Sequence, residues 1–340
     1  MIGTKNLLHM RTLILTKEPT VFKDDPWSGI ESGTYPSGRR LYGNDERYWV
    51  SRDSLNQLIF YVHDVCNTVI PSVEGPSSVH VAVERYKANE QRMVCTFVDT
   101  SQTSVEKFAL VIKHIALVSE KYSGVALFTK IQKELHEWAD FLRVSKQELS
   151  RSELIGFWGE LYVIDHYMME YHNALDVIRY WAGPSGAPKD ISFGSLAIEV
   201  KTTKASNSRL ITISSLDQLE RTTDKLYLMH LSINDSDIES GLTLAGLYES
   251  IKLKIRQDLP SMALYAKRAG CIFDRASSFQ KEEPFLCSDV NMYDVLDKFP
   301  KLLRCKLEPM GILEAEYKIS ISSIQPFKVT QNLEDIIKNG

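Results

Sequence analysis

Tyr48-Trp49-Val50 and Leu58-Ile59-Phe60-Tyr61-Val62 are short apolar and aromatic runs on either side of the turn-forming run Ser54-Leu55-Asn56. Runs of this length, rich in β-branched and aromatic residues and bounded by turn residues, predict a pair of antiparallel strands. A second pair is predicted over 79–86 and 93–98, closing over Ala88-Asn89-Glu90. Apolar residues then fall at three- and four-residue spacing over 105–118 and 127–142, which predicts two helices. Residues 45–142 therefore read as a small antiparallel sheet with helices on it, the body of an N-terminal α+β domain spanning 1–145. The chain before it reads as mostly irregular, with one apolar run at Leu13-Ile14-Leu15 and turn signals around Asp25-Pro26-Trp27 and Pro36-Ser37-Gly38.

Ser150 and Glu153 have the spacing of a capping box and predict a helix running to about residue 171, with Leu154, Trp158, Leu161 and Tyr162 on its apolar side. Gly156 and Gly159 each cost such a helix about 1 kcal/mol relative to alanine, so close approach to another backbone is expected there. Glu160 follows Gly156 by four residues and is carried on the same face. A loop over 181–189, rich in glycine and proline, comes next. Residues 210–213 and 226–232 predict strands, with a helix between them from a second capping box, Ser215 and Gln218, to about residue 224. Leu244, Leu247, Tyr248, Ile251, Ile255 and Leu259 mark an amphipathic helix ending at Pro260, and short strands are expected near 313–321. The order is that of an α/β domain, a mixed sheet flanked by helices over 146–340 with a C-terminal α/β extension.

Between the loop and the strand at 210 lies Asp190-Ile-Ser-Phe-Gly-Ser-Leu-Ala-Ile-Glu-Val-Lys201. A two-residue turn at Gly194-Ser195 pairs Phe193 with Leu196, Ser192 with Ala197, Ile191 with Ile198 and Asp190 with Glu199. Alternation then places Asp190, Ser192, Ala197, Glu199 and Lys201 on one face and Ile191, Phe193, Leu196, Ile198 and Val200 on the other. Opposed carboxylates about 5 Å apart repel by roughly 3 kcal/mol at an effective dielectric of about 20. A divalent cation on oxygen ligands would remove that penalty, and Lys201 would offset part of it.

Composition adds mostly exclusions. The 340 residues carry 44% hydrophobic and 25% charged side chains, ordinary globular values that exclude a disordered or fibrous chain. A net charge of −4 means that any contact with nucleic acid must come from a local patch. The five cysteines, Cys66, Cys95, Cys271, Cys287 and Cys305, show no C-x-x-C spacing and read as reduced thiols of a cytoplasmic protein without a membrane span. His63, His80, His114 and His136 lack metal-ligand spacing and read as surface or packed residues.

Asp190, the gap to Glu199-Val200-Lys201, and the preceding helical Glu160 resemble the active-site pattern of the PD-(D/E)XK nuclease superfamily, which has the restriction-endonuclease-like fold. Gly156-Phe-Trp-Gly-Glu-Leu161 ahead of the hairpin, with Ser214-Ser215 and Gln218-Leu219 after it, further resembles a bacterial PD-(D/E)XK motif family associated with restriction and phage-defence gene clusters. One departure is that the proline stands at Pro188, two before the aspartate, with Lys189 between.

The resemblance implies a Mg²⁺-dependent endonuclease, Mn²⁺ substituting, with Glu160, Asp190, Glu199 and Lys201 as catalytic residues. Asp190, Glu199 and the Val200 carbonyl would hold the metal and Glu160 a second metal or a water, while Lys201 would orient the attacking water and stabilise the phosphate. DNA contact would fall to Lys189, Lys201, Lys204, Arg209, Arg221 and Lys225, with Gln218 touching substrate or serving as a cap. DNA is the implied partner, with other subunits of a restriction or defence system and a second copy of the chain as further candidates, and no membrane. A non-catalytic DNA- or partner-binding subunit is the alternative from another class, and RNA or branched DNA are alternative substrates.

Overall fold

The computed structural model describes residues 21–338 apart from 44, 71–74, 144–146, 184–186, 208, 305–311 and 313. The apolar run at 13–15 and Cys305 lie outside the described residues. The expected hairpins form one five-stranded antiparallel sheet in the order β1-β2-β3-β5-β4, built from Arg39–Arg40, Tyr48–Arg52, Leu58–Val65, Val79–Lys87 and Glu90–Phe97 for β1 to β5 in chain order. Helix α1, Gln102–Ser119, buries Val105, Phe108, Val111, Ile112 and Ile115 along one stripe. Instead of one helix over 127–142, α2 covers Gly124–Glu137 and α3 Ala139–Leu142, because the chain turns at the fully buried Trp138.

The capping box opens α4, Arg151–Val163, with the Ser150 side chain accepting from Glu153 N and the Glu153 carboxylate from Ser150 N. The helical path continues through a π-helical turn, Ile164–Met168, and α5, Met169–Tyr171, then breaks and resumes as α6, Ala174–Tyr180. The hairpin follows as β6, Ile191–Phe193, and β7, Leu196–Lys204, in the expected register from Phe193–Leu196 to Ile191–Ile198. Its turn glycine, Gly194, takes φ +54°, a conformation that favours glycine.

A second five-stranded sheet has the order β10-β11-β9-β7-β6, where β9 is Lys225–Asp235, β10 Leu242–Thr243 and β11 Pro284–Asp294. It is mixed, since β7 and β9 run parallel and the other pairs antiparallel. Two expectations change here. Strand β8, Leu210–Ile213, leaves this sheet and pairs with β12, Tyr317–Ser320, as a separate ribbon. The long strand β11, which the alternation does not reveal, inserts beside β9, and a bulge between Cys287 and Asp289 breaks its period. Pro260 does not end a helix either. Helix α7, Leu244–Ile255, stops earlier, and Asp258 caps α8, Leu259–Tyr265, with Pro260 in its first turn.

Strand β7 is covered on both faces. Ile198 and Val200 enter a core with Leu154, Trp158, Leu161, Trp181 and Met229, while Ala197 enters another with Ile211, Ile213, Leu226 and Leu228. The face of the hairpin that carries the acids is therefore roofed where Ala197 lies. A third core, under the N-terminal sheet, takes in Ala263 and Ala266 of the α8 segment, whose Tyr265 and Ala269 belong to the core around Trp181. No helix among the described residues is long and apolar enough to cross a membrane.

The two glycines of α4 differ in what they permit. A Cβ at Gly159 would sit 1.8 Å from Thr202 Oγ1 on β7, whereas one at Gly156 would meet nothing within 4 Å. The close contact at Gly159 is thus with a threonine side chain and not with the expected backbone, and Gly156 has none. Gly159→Ala should lower stability by about 1–3 kcal/mol through overpacking. Gly156→Ala should raise it by roughly 0.5–1 kcal/mol. Thermal unfolding of the two variants checks the contrast, and equal effects would contradict a close helix–strand contact at Gly159 alone.

Candidate active site

Gly159 lets α4 lie against β7, and the next residue, Glu160, reaches the hairpin. The Trp181 indole Nε1 donates to Glu160 Oε2 at 2.9 Å. Trp181 is fully buried, as its apolar surroundings suggest, and it also holds the start of the hairpin through a bridge to Ile191. A buried tryptophan needs an acceptor for its N–H, a signal that could have paired it with a nearby carboxylate.

Asp190 does not form the expected ladder pair with Glu199. The Asp190 carbonyl accepts from Ala182 N at 2.8 Å on the edge away from β7, and the ladder with β7 is kept only from Ile191 onward. Its Oδ2 instead accepts from Val200 N at 2.7 Å, which ties the carboxylate to the free stretch of the β7 edge. In an extended strand the N–H and C=O of one residue leave by the same edge, so the Val200 carbonyl opens on the side where Asp190 sits.

Glu199 is 1% exposed. Its Oε1 lies 2.9 Å from Lys201 Nζ, close enough for an ion pair but without hydrogen-bond alignment, and its Oε2 has no hydrogen-bond partner among the described residues. Lys201 Nζ donates to Gln218 Oε1 at 3.0 Å, and the same oxygen accepts from Ser214 N at 2.9 Å. Gln218 is thus neither a helix cap nor part of a helix to residue 224. It sits in a single 3₁₀ turn, Leu216–Leu219, and orients the lysine.

The carboxylates are held away from their ordinary ionisation. Burial, reinforced by the Asp190 charge, pushes Glu199 up to about 8. Burial also raises Glu160, with Asp190 adding to it and the Trp181 hydrogen bond opposing it. Asp190 rises through burial too, restrained by Lys201 and by the Val200 N–H. An orphaned, buried, hard oxygen beside a second carboxylate and a backbone carbonyl fits Mg²⁺ or Mn²⁺. Among the described residues no three His, Cys, Asp or Glu side chains gather closely enough to enclose an ion by themselves, so backbone and water would have to complete the ligand set.

Of the basic residues expected on DNA, Lys189 is corrected: it is 4% exposed and its ammonium donates to the carbonyls of Asp217 and Pro188. Lys204 pairs with Asp235 at 2.7 Å, and Arg209 is exposed. Lys225 faces Leu196 across the ladder and Arg221 lies near it, about 16 Å along β7 from Lys201. The structure therefore does not gather the six cations into one patch.

A carboxyl whose folded pKa is raised holds its proton where the unfolded chain has lost it, so stability falls as pH rises between the unfolded value of about 4.3 and the folded value. With Glu199 pushed up to about 8, the metal-free protein should lose stability steadily as pH rises through that window. Glu199→Gln should flatten the slope, as calorimetry across pH 5 to 8 would show; an unchanged slope would contradict the buried, raised carboxyl.

No curated protein and no solved structure matches the chain. Its sequence does match, over residues 24–322, the family described as "Putative PD-(D/E)XK family member, (DUF4420)". That span takes in α4, the hairpin and the N-terminal sheet alike, and the mixed sheet flanked by helices agrees with the fold that the motif implies. The chain belongs to this PD-(D/E)XK family.

Proposed function

We propose that the chain is a divalent-metal-dependent endonuclease hydrolysing DNA phosphodiester bonds, as a component of a restriction or antiphage system. Family membership supports a nuclease-like activity. The observation that carries the finer reading is Glu199, buried with Oε2 unbonded between Asp190 and Lys201. A binding subunit gains nothing from a carboxylate kept in that state, which works against stability.

Asp190, Glu199 and the Val200 carbonyl would hold Mg²⁺, with Glu160 alongside. When bound, the ion supplies charge stabilisation at the phosphate and lowers the pKa of an attacking water. Asp190 is pre-oriented by Val200 N, and Trp181 holds Glu160 toward the same edge. Lys201, fixed by Gln218 and Glu199, orients the nucleophilic water and holds the growing negative charge on the phosphate oxygens. Gln218 is a positioning residue, since its contact is with the lysine.

The test is cleavage of plasmid DNA by purified protein with Mg²⁺ or Mn²⁺, with RNA and branched DNA run in parallel to assign the substrate. Asp190→Asn, Glu199→Gln and Lys201→Met should each lower cleavage by about 10²–10⁴-fold with the fold intact by circular dichroism. Gln218→Ala should lower kcat about tenfold with little change in KM, the pattern of a group acting in the transition state. Full cleavage by Lys201→Met would overturn these roles, and a wild-type protein inert on every substrate would favour the binding-subunit reading.

A further inference from the structure

Besides Lys189, a second cation of this region is spent on backbone carbonyls. Arg268 lies in the π-helical turn Ala266–Gly270 that follows α8. Its Nη1 donates to the carbonyls of Ile178, at 2.6 Å, and of Trp181. Arg179 O lies at the outer limit, 3.5 Å. These are the last carbonyls of α6 and the residue after it, so the guanidinium closes that helix end and grips the backbone of Trp181. Gly183 packs on the stem of the arginine: a Cβ there would come within 2.9 Å of Arg268 Cβ, and its φ is +70°. The indole of the gripped residue is the donor to Glu160.

The turn that carries Arg268 is also seated in the N-terminal core. Ala263 and Ala266 are members of that core, and a Cβ at Gly270 would overlap the Phe141 ring. Lys267 lies 3.2 Å from Glu137 and 3.6 Å from Glu134, both on α2. Adjacent residues, Lys267 and Arg268, therefore hold opposite sides of the molecule.

We propose that Arg268 is a positioning residue for the active site, fixing Glu160 through Trp181, and that the turn 266–270 ties this arrangement to the N-terminal sheet and its helices. The proposal rests on the nuclease reading for its catalytic consequence but not for its structural one. The chain of contacts is short. Arg268 holds the Trp181 carbonyl, the Trp181 indole donates its N–H, and Glu160 accepts it. Displacement at any member moves the glutamate relative to Asp190 and Glu199.

The indole N–H region of a ¹H–¹⁵N spectrum of the full chain reads this directly, because the protein has five tryptophans. The signal lost in Trp181→Phe identifies Trp181, and Glu160→Gln should shift it. Arg268→Met should shift the same signal while leaving the other tryptophans in place, and Arg268→Lys should return it most of the way. Lys267→Met, on the far side of the turn, should also move it. In cleavage, Arg268→Met should lose about tenfold in kcat with KM for DNA within twofold, and Arg268→Lys should recover most of the loss.

A Trp181 signal unmoved by Arg268→Met would overturn the positioning role, and one unmoved by Lys267→Met would remove the link to the N-terminal core. Failure of the wild-type protein to cut any nucleic acid would instead count against the nuclease reading alone, since the spectrum reports on the contact without turnover.

Discussion

A carboxylate taken out of water beside a lysine on the same strand is the constraint to which the rest of this structure answers. Glu199 is 1% exposed, in a strand whose two faces enter two different cores. A buried charge without sufficient hydrogen bonds is costly, and the group escapes either by keeping its proton or by meeting a cation. Lys201 supplies one cation but no aligned hydrogen bond, and the raised pKa is the remainder of the problem. The neighbours make sense in those terms. Asp190 satisfies itself on Val200 N, Gln218 accepts the aligned hydrogen bond of the lysine, and Gly159 lets a helix bring Glu160 to the same edge.

Much of this is legible in the sequence, because local patterns control it. A Gly-Ser turn between alternating apolar runs leaves one register for the hairpin, and the structure keeps it down to Ile191–Ile198. The Ser150–Glu153 box opens its helix as the spacing indicates. Features that depend on a partner far along the chain are not legible in this way. The ladder stops short of Asp190 because Val200 N bonds the aspartate side chain in place of the facing backbone, and nothing local announces that contact. Lys189 has the look of a surface cation, but the Asp217 carbonyl draws it inward. Gln218 fits a capping pattern, yet its oxygen is needed by Lys201 and Ser214. Strand β11 hides because a bulge between Cys287 and Asp289 interrupts its period.

The division of the chain into a sheet-and-helix unit followed by a mixed-sheet unit is only part of its organisation. The segment from Ala263 to Gly270 contributes side chains to both large cores, so the two share a wall. A short helix packed into both is a rigid shared element, since interiors are close-packed and do not yield smoothly. Charges cluster on that wall as well: Lys107 pairs with Asp274, and Lys267 with Glu137. Surface pairs of this kind contribute little to stability by themselves, about 0–1 kcal/mol each. Their weight here is in fixing how the shared helix sits.

The proposed chemistry depends above all on two acids and a backbone carbonyl at the edge of β7 forming a cation site. A crystal of the full chain soaked in Mn²⁺, with data collected at the manganese absorption edge, tests this most directly. An anomalous peak is expected within ligand distance of Asp190 and Glu199, absent in Glu199→Gln crystals treated in the same way. Well-ordered side chains at Asp190 and Glu199 with no anomalous signal between them would contradict it.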